Sequence, residues 1–468
     1  MKASITPFLS LTFLIIMSFI FSMLQLADYR TTTSDQRRIM ELAMFSVFGE
    51  YQRELYNTYG IFAFDGAYHG VGYDEENVLK RLNYYGSYGI ESDIKTLQLL
   101  TDHKGQALKE QIVASMEAVY GINYVDDLID MSKDWGQIEL EGEQLQASDK
   151  EGNKTIEDLL NQNEEYELAE ADNPLPEVNK LKKSPLLSLV LPKGTTQSNL
   201  RVSLDSQVSN RTLRQGYGEV PTRGNVNSLY SYAAIHEFTM KYFTHALSDG
   251  EDNSDEETNN ETNTESKEKR SLLYEIEYII AGKDTDYKNL SHVMTILLFM
   301  RLAVNYAHIQ SCKEKKSQAE TLAALLTIKA PSAKSAVQQA LIASWAFAES
   351  IMDLRTLMNG YKVAMIKKEE HWQLKLSNIG KLVSSNQGSN KDQKGGFTYD
   401  MYLRGLLILN NQDRTFARLM DRIEENIKVK EGQENFRLDA MIYRIHLDNT
   451  SRHAFGTEYK FPTQYGYR

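Results

Sequence analysis

The sequence predicts an α+β protein: one N-terminal transmembrane helix continuing as a stalk, a strand-containing first half and a helix-rich second half. Three observations predict it. An uncharged apolar run lies near the N-terminus, alternating apolar residues fall within the first hundred, and apolar residues recur at helical spacing after residue 270. The chain has 468 residues, 41% hydrophobic and 25% charged, which is enough to bury a core and long enough for several domains. Its net charge of −12 argues against a nucleic-acid partner. Cys312 is the single cysteine, so no intrachain disulfide forms, and cysteine usage leaves the compartment open.

Residues 1–27 are predicted to be the membrane anchor. No charge occurs from Ala3 to Ala27, and the core of the run holds eleven large apolar residues: Phe8, Leu9, Leu11, Phe13, Leu14, Ile15, Ile16, Phe19, Ile20, Phe21 and Leu24. At about −0.5 kcal/mol each they favour insertion by roughly −5 kcal/mol, only partly offset by Ser10, Thr12, Ser18 and Ser22. A helix from Ile5 to Leu26, rising about 1.5 Å per residue, crosses a hydrocarbon layer of ~30 Å. The run exceeds the 7–15 residues of a signal-peptide core. A cleavage after Ala27 would put Gln25, not a small residue, at the −3 position. The reading is therefore an uncleaved, single-pass anchor in the cell membrane, with membrane lipid as its partner. Ser10, Ser18 and Ser22 are small enough to admit a neighbouring helix. Lys2 opposes Arg30, Arg37 and Arg38 across the run, and the reading places the body outside the cytoplasm.

Residues 28–59 read as a juxtamembrane stalk helix, since Ile39, Leu42, Phe45, Ser46, Gly49, Leu55 and Tyr59 recur near helical spacing and no proline falls between Phe8 and Tyr59. Residues 60–138 read as an α/β region, with strands at 60–65 and 86–99 and a helix over 104–120. The second strand rests on Ile90, Ile94, Leu97 and Leu99. Residues 139–180 read as an acidic linker or insertion: thirteen Asp or Glu from Glu139 to Glu177 against Lys150 and Lys154, a net of −11. Residues 181–248 read as a mixed region with short strands, and the apolar run Leu186–Leu191 between prolines is predicted as a buried strand. Residues 249–270 hold no aliphatic or aromatic side chain and read as a disordered acidic loop. Residues 271–375 read as helical, with Val293, Leu297, Met300 and Val304 on one face and Leu341, Trp345, Ala348 and Met352 on another. Residues 376–468 read as a C-terminal helical region built on Phe416, Leu419, Met420, Ile423 and Ile427. Arg301 in the middle of Val293–Ile309 costs about 2.5–3.5 kcal/mol in a bilayer, so that helix is read as packed in protein.

The motifs that carry chemistry are missing. There is no phosphate loop, no dinucleotide turn after Gly70-Val-Gly72, no nucleophile elbow, and no second histidine to follow His236-Glu237. Where an EF-hand loop starting at Asp249 needs glycine, Ser254 stands. Cys312 reads as an inert thiol and His371-Trp372 as a junction between elements. Glu349 and Asp353, one helical turn apart and beside Arg355, read as a structural ion-pair cluster. No catalytic, cofactor-binding or metal residue is assigned, and no cofactor or small-molecule substrate. A dyad assembled from distant segments stays open.

A resemblance spans nearly the whole chain. Lys2 to Thr6, the apolar run, Ser46 to Tyr56 (SVFGEYQRELY) and Tyr59 to Phe62 open it. It continues through Leu100-Thr-Asp102, Tyr274 to Lys283 (YEIEYIIAGK), Asn289-Leu290, Trp345 to Ser350 (WAFAES) and Gly360 to Val363. Tyr399 to Arg404 (YDMYLR) and Phe436 to Asp439 (FRLD) end it. Together these resemble an uncharacterised Firmicutes family whose genes commonly accompany Tad (Flp-type) pilus or secretion loci. The N-terminal layout is similar to that of the TadE and TadG pilus-assembly proteins, pilin-like subunits with an N-terminal helix and an extracytoplasmic body. Two features depart from them: no glycine precedes the apolar run, and no von Willebrand-type adhesion motif occurs. The resemblance implies a non-enzymatic structural or assembly component of a Tad-like apparatus, with other Tad-type proteins as partners. A surface sensor or adhesin unrelated to pili, and a membrane-tethered envelope enzyme, are the alternatives.

Overall fold

A computed structural model describes residues 5–68, 70, 73–120, 173–218, 228–248, 270–382, 390–452 and 457–467. In chain order the helices are α1 (Ile5–Phe48), α2 (Arg53–Tyr59), α3 (Glu75–Tyr84), α4 (Asp102–Tyr120), α5 (Leu175–Lys183), α6 (Leu186–Val190), α7 (Leu229–Tyr242), α8 (Glu275–Ala281), α9 (Asp286–Ser311), α10 (Lys313–Leu326), α11 (Lys334–Met358), α12 (Tyr399–Leu409) and α13 (Gln412–Lys428). The strands are β1 (Phe64–Asp65), β2 (Ile90–Leu99), β3 (Val363–Ala364), β4 (Gly396–Phe397), β5 (Met441–Arg452) and β6 (Glu458–Gly466). The fold is α+β. The chain divides into two compact units, the first made of residues Met1–Ser115, Thr212–Val226 and Ile427–Arg468, the second of Met116–Arg211 and Asn227–Asn426.

In the first unit α1 runs unbroken for 44 residues, because nothing from Phe8 to Phe48 is proline or glycine. Gly49 and Glu50 turn the chain, and α2 follows as a separate short helix ended by Gly60 at φ +70, whose N–H donates to Tyr56 O at 2.7 Å. The predicted helix to residue 59 thus breaks after Phe48, at the glycine that its apolar spacing had absorbed. The last turns of α1 bury Met40, Ala43, Met44, Val47 and Phe48, a stripe at three- and four-residue spacing. That stripe shares one core with Leu97, Leu99, Ile442, Ile445, Leu447 and Phe461 of the sheet. Glu50 is fixed to Arg81, whose Nε lies 2.8 and 2.9 Å from its two oxygens, and to the Tyr85 hydroxyl at 2.6 Å. Burial works against that carboxylate's charge, and these hydrogen bonds outweigh it and lower its pKa.

The sheet is antiparallel with β5 at its centre. β2 lies on one side, from Ile90 opposite Ser451 to Leu99 opposite Ile442. β1 and then β6 occupy the other, β6 from Arg444 opposite Gly466 to Arg452 opposite Glu458. β5 alternates cleanly: Ile445, Leu447, Asn449 and Ser451 are buried, while Arg444, His446, Asp448, Thr450 and Arg452 face the other way. The expected C-terminal helical region is therefore corrected, since after α13 it supplies β5, the central strand, and β6, which pairs with it. The strand expected at 60–65 shortens to Phe64–Asp65, and the one at 86–99 begins at Ile90.

Beside β2, Tyr217 and Leu97 exchange backbone hydrogen bonds of 3.0 and 2.9 Å, and the Asp102 carboxylate accepts from the N–H groups of Gly216 and Leu99 at 2.8 and 2.7 Å. A Cβ at Gly216 would fall inside contact distance of the Leu97 carbonyl and the Asp102 carboxylate. Gly216→Ala is expected to cost about 1–3 kcal/mol by overpacking, read as a lower midpoint in urea denaturation. An unchanged midpoint would show that this backbone approach contributes nothing.

In the second unit α9, α10 and α11 pack together around Val293, Leu297, Leu341, Trp345 and Ala348, all at most 2% exposed, while Met300, Val304 and Met352 are only half-buried. On α13, Phe416, Leu419, Met420, Ile423 and Ile427 are all buried, as their spacing predicts. Leu186–Leu191 is not a strand. Pro185 fixes the residue before a single helical turn, and Leu191 N–H closes on Leu187 O at 3.0 Å. A short apolar run between prolines has no periodicity to separate the two forms. Residues 139–172 and 249–269 of the two acidic stretches lie outside the described residues, and the end of the first enters α5.

Candidate functional site

The first candidate is the apolar half of α1. All eleven large apolar residues, Phe8, Leu9, Leu11, Phe13, Leu14, Ile15, Ile16, Phe19, Ile20, Phe21 and Leu24, are between 46% and 65% exposed and point to every side of the helix. Such a surface is unfavourable in water, and a helix apolar all round fits hydrocarbon. Three of its hydroxyls turn inward on the backbone: Ser10 donates to Pro7 O at 2.9 Å, Thr12 to Phe8 O at 3.0 Å and Ser18 to Ile15 O at 2.9 Å. This satisfies them without water. Ser10, Ser18 and Ser22 all lie on the exposed helix, where they thin its surface rather than project from it.

Among the described residues two helices are long and apolar enough to cross a membrane, α1 and α9. None of the apolar window of α1 is buried, whereas 44% of that of α9 is. Arg301 on α9 is 1% exposed and ion-paired, so α9 is a packed helix, as that arginine predicts.

The second candidate is the cluster that Arg301 enters. Glu349 and Asp353 lie one turn apart on α11, both fully buried. Arg301 binds Asp353 Oδ2 through Nε at 3.1 Å and Nη2 at 2.9 Å, and the Asn305 amide adds a third donor at 3.0 Å. Lys367 Nζ sits 2.6 Å from Asp353 Oδ1 and 2.8 Å from Glu349 Oε1. The backbone N–H groups of Gln373 and Leu374 donate to Glu349 Oε1 and Oε2 at 2.8 and 2.9 Å. Arg301 Nη1 also donates to the carbonyls of Ala364 and Met365 at 2.8 and 2.9 Å, so the cluster pins the segment after β3 onto α9 and α11. Two cations and two carboxylates balance, as burial requires.

Within that balance the carboxyls differ. Burial raises Glu349, Lys367 pulls it back, and the neighbouring Asp353 raises it again, for a net rise. Burial also works to raise Asp353, but Arg301 and Lys367 outweigh it and hold it well below the usual carboxylate range. Two aromatic rings roof the site: Trp345 and Trp372 both donate through Nε1 to Leu374 O, at 2.8 and 2.7 Å, and Lys367 Nζ lies 5.6 Å from the Trp372 ring centre.

The structure keeps Glu349 and Asp353 together as a cluster but corrects the partner: Arg355 turns away and donates to Leu189 O at 2.6 Å. Lys367 escaped sequence reasoning because Met365-Ile-Lys-Lys carries no periodic signal. Arg301 did announce itself, as a charge on an otherwise apolar face. Cys312 is half-buried, its thiol 3.9 Å from the Glu369 carboxylate, and His371 is buried in the short turn Glu369–His371.

Two further buried groups have their pKa shifted by burial, in opposite directions. Burial pushes the Glu277 carboxyl of α8 up to about 7, against hydrogen bonds from Ala246 N–H at 2.9 Å and the Tyr399 hydroxyl at 2.8 Å. Burial pushes His236 of α7 down to about 4, against its contact with Gln412 at 2.9 Å. Among the described residues no three His, Cys, Asp or Glu side chains are placed to hold a metal ion.

The profile of a family described as a family of unknown function, DUF5702, matches residues 164–453, more than half of the chain. No curated protein and no solved structure matches it.

Proposed function

From the premise that the chain belongs to the DUF5702 family, whose description names no activity, we propose that it is a membrane-anchored structural or assembly subunit acting through protein–protein contacts. The observation that carries this reading is the continuity of α1. Its first half is bare and apolar on every side, its last turns sit in the core of the first unit, and no glycine or proline separates them. A helix in lipid at one end and packed in protein at the other couples membrane orientation directly to the body, which a flexible tether does not do. Such coupling suits a part that must stand in a fixed pose among neighbours.

The more specific form of the proposal is a single-pass component of a Tad-like (Flp-type) pilus or secretion apparatus, with its body outside the cytoplasm. The resemblance to TadE- and TadG-like subunits supports it, as does a long helix whose apolar half is left for lipid or neighbouring helices. Ser10, Ser18 and Ser22 supply the thin positions such helix contacts use.

The test combines fractionation and shaving. The chain is expected to stay in membranes through an alkaline carbonate wash and to lose its body peptides when intact cells are treated with protease. Removing residues 5–26 is expected to release it. Recovery of the complete chain, first residues included, in the soluble fraction would overturn the anchor. Unaltered pili and secretion after deletion of the gene would overturn the apparatus assignment while leaving the anchor standing.

A further inference from the structure

We propose that Lys367 and Glu349 react with one another to form an intramolecular isopeptide bond, with Asp353 as the proton carrier. Four observations meet at this point. The nucleophile is in place, since Lys367 Nζ lies 2.8 Å from Glu349 Oε1, hydrogen-bond contact that also sets the amine beside the carboxyl carbon. The electrophile is held at both oxygens by backbone N–H groups, from Gln373 at 2.8 Å and Leu374 at 2.9 Å. A second carboxylate touches the amine, Asp353 Oδ1 at 2.6 Å. All three side chains are fully buried beneath Trp345 and Trp372.

The reaction balances without any co-reactant. One proton of the Lys367 ammonium passes to the Glu349 carboxylate, leaving a neutral amine and a neutral acid. The amine lone pair then forms the N–C bond to Glu349 Cδ, and the oxygen that takes the electron pair is held by the Gln373 or Leu374 N–H, as an oxyanion is held elsewhere. Asp353 removes a proton from the attacking nitrogen and hands it to the hydroxyl group, which leaves as water when the C–O bond breaks. An ammonium and a carboxylate become an amide and one water.

The surroundings favour both partners in their roles. Burial raises the Glu349 carboxyl toward its neutral, attackable form. Arg301 keeps Asp353 ionised and so able to accept a proton. Fixing the groups in contact supplies the proximity that such a step needs, worth effective molarities of about 10⁵ M or more where the geometry is right. Charge bookkeeping also favours the product: two buried charges vanish, Arg301 and Asp353 remain as a neutral pair, and the water goes to solvent. The bond would close the chain between α11 and the segment after β3. With Cys312 as its single cysteine, the chain has no disulfide with which to do the same.

Peptide mapping of the full chain, extracted in detergent and digested with trypsin, decides it. The expected species joins residues 335–355 to residues 363–368, one water lighter than the sum of the two, with cleavage blocked after Lys367. Fragmentation is expected to place the link on Glu349. Recovery of residues 335–355 free, together with cleavage after Lys367, would overturn the proposal, and so would a link on Asp353. Asp353→Asn is expected to cut the rate of linkage by about 100-fold or more, the usual contribution of a positioned base. An Asp353→Asn chain linked as fast as the parent would remove Asp353 from the mechanism. If that variant does not fold, the map of the parent chain still decides the bond.

Discussion

Asp353→Ala is expected to destabilise the second unit by about 3–5 kcal/mol, the cost of leaving a buried cation without its partner. The argument is one of asymmetry. Asp353 is the acceptor that Arg301, Asn305 and Lys367 share, and none of the three gains water when it goes, because Arg301 is 1% exposed and the Lys367 side chain 0%. Arg301 then keeps its contacts to the Ala364 and Met365 carbonyls but no countercharge. The stranded arginine remains whether or not Lys367 has been consumed in a bond, so the direction of the effect does not depend on that chemistry. Urea denaturation followed by circular dichroism measures it. Replacing the pair together, Arg301→Met with Asp353→Leu, is expected to recover most of the loss, since an apolar pair of similar volume needs no compensation. A single-variant loss below about 1 kcal/mol would show that the site admits water and that its charges are not stranded.

The second large effect is on the pH dependence of stability, and its two limbs have separate owners. Glu277 has its folded pKa raised to about 7 from an ordinary 4.5. Below pH 4.5 it is neutral in folded and unfolded chains alike, and the stability tied to its proton is fully present. As pH rises through about 7 the unfolded chain has already ionised while the folded chain has had to hold or lose a proton in an apolar site, so that stability is lost. The difference amounts to about 3 kcal/mol at pH 8. Glu277→Gln keeps an acceptor for Ala246 and Tyr399 and is expected to remove this alkaline loss, while matching the parent near pH 4.5.

His236 works in the opposite direction. Its folded pKa is lowered to about 4 from 6.5, so its contribution is present above pH 6.5 and lost as pH falls through about 4. His236→Gln is expected to flatten the acid limb alone. Thermal melts from pH 4 to 8 separate the two, and parallel parent and Glu277→Gln profiles would refute the assignment of the alkaline limb.

Much of the helical architecture was legible because amphipathic spacing reports burial directly. Phe416, Leu419, Met420, Ile423 and Ile427 on α13 are all 4% exposed or less. Arg301 carried one message, that its helix is not a membrane span; the buried acid that faces it, Asp353, shows only in the structure. What failed to show were features set by pairing across the sequence. β5 carries a clean polar-apolar alternation, yet residues 376–468 were read as helical from the spacing of Phe416 to Ile427, and what sets the strand's buried face is the core shared with α1. Lys367 meets Asp353 across 14 residues and Arg301 meets it across 52, through contacts that no local pattern encodes. Leu186–Leu191 was misread because five apolar residues and Ser188 between prolines fit a helical turn and a strand equally well.

The central position of β5 also sets an order of events during synthesis. β2 pairs with a strand that begins some 340 residues later, at Met441, and β6 comes later still. Until the ribosome has released that final stretch the first unit has no sheet, and the stripe of Met40, Met44 and Phe48 lacks Ile442, Ile445, Leu447 and Phe461, the share of its core that the last strands supply. The leading helix is therefore made long before the part that completes its fold. A nascent chain in that interval exposes apolar surface on a slow, long-range closure, the situation in which holding factors are most needed.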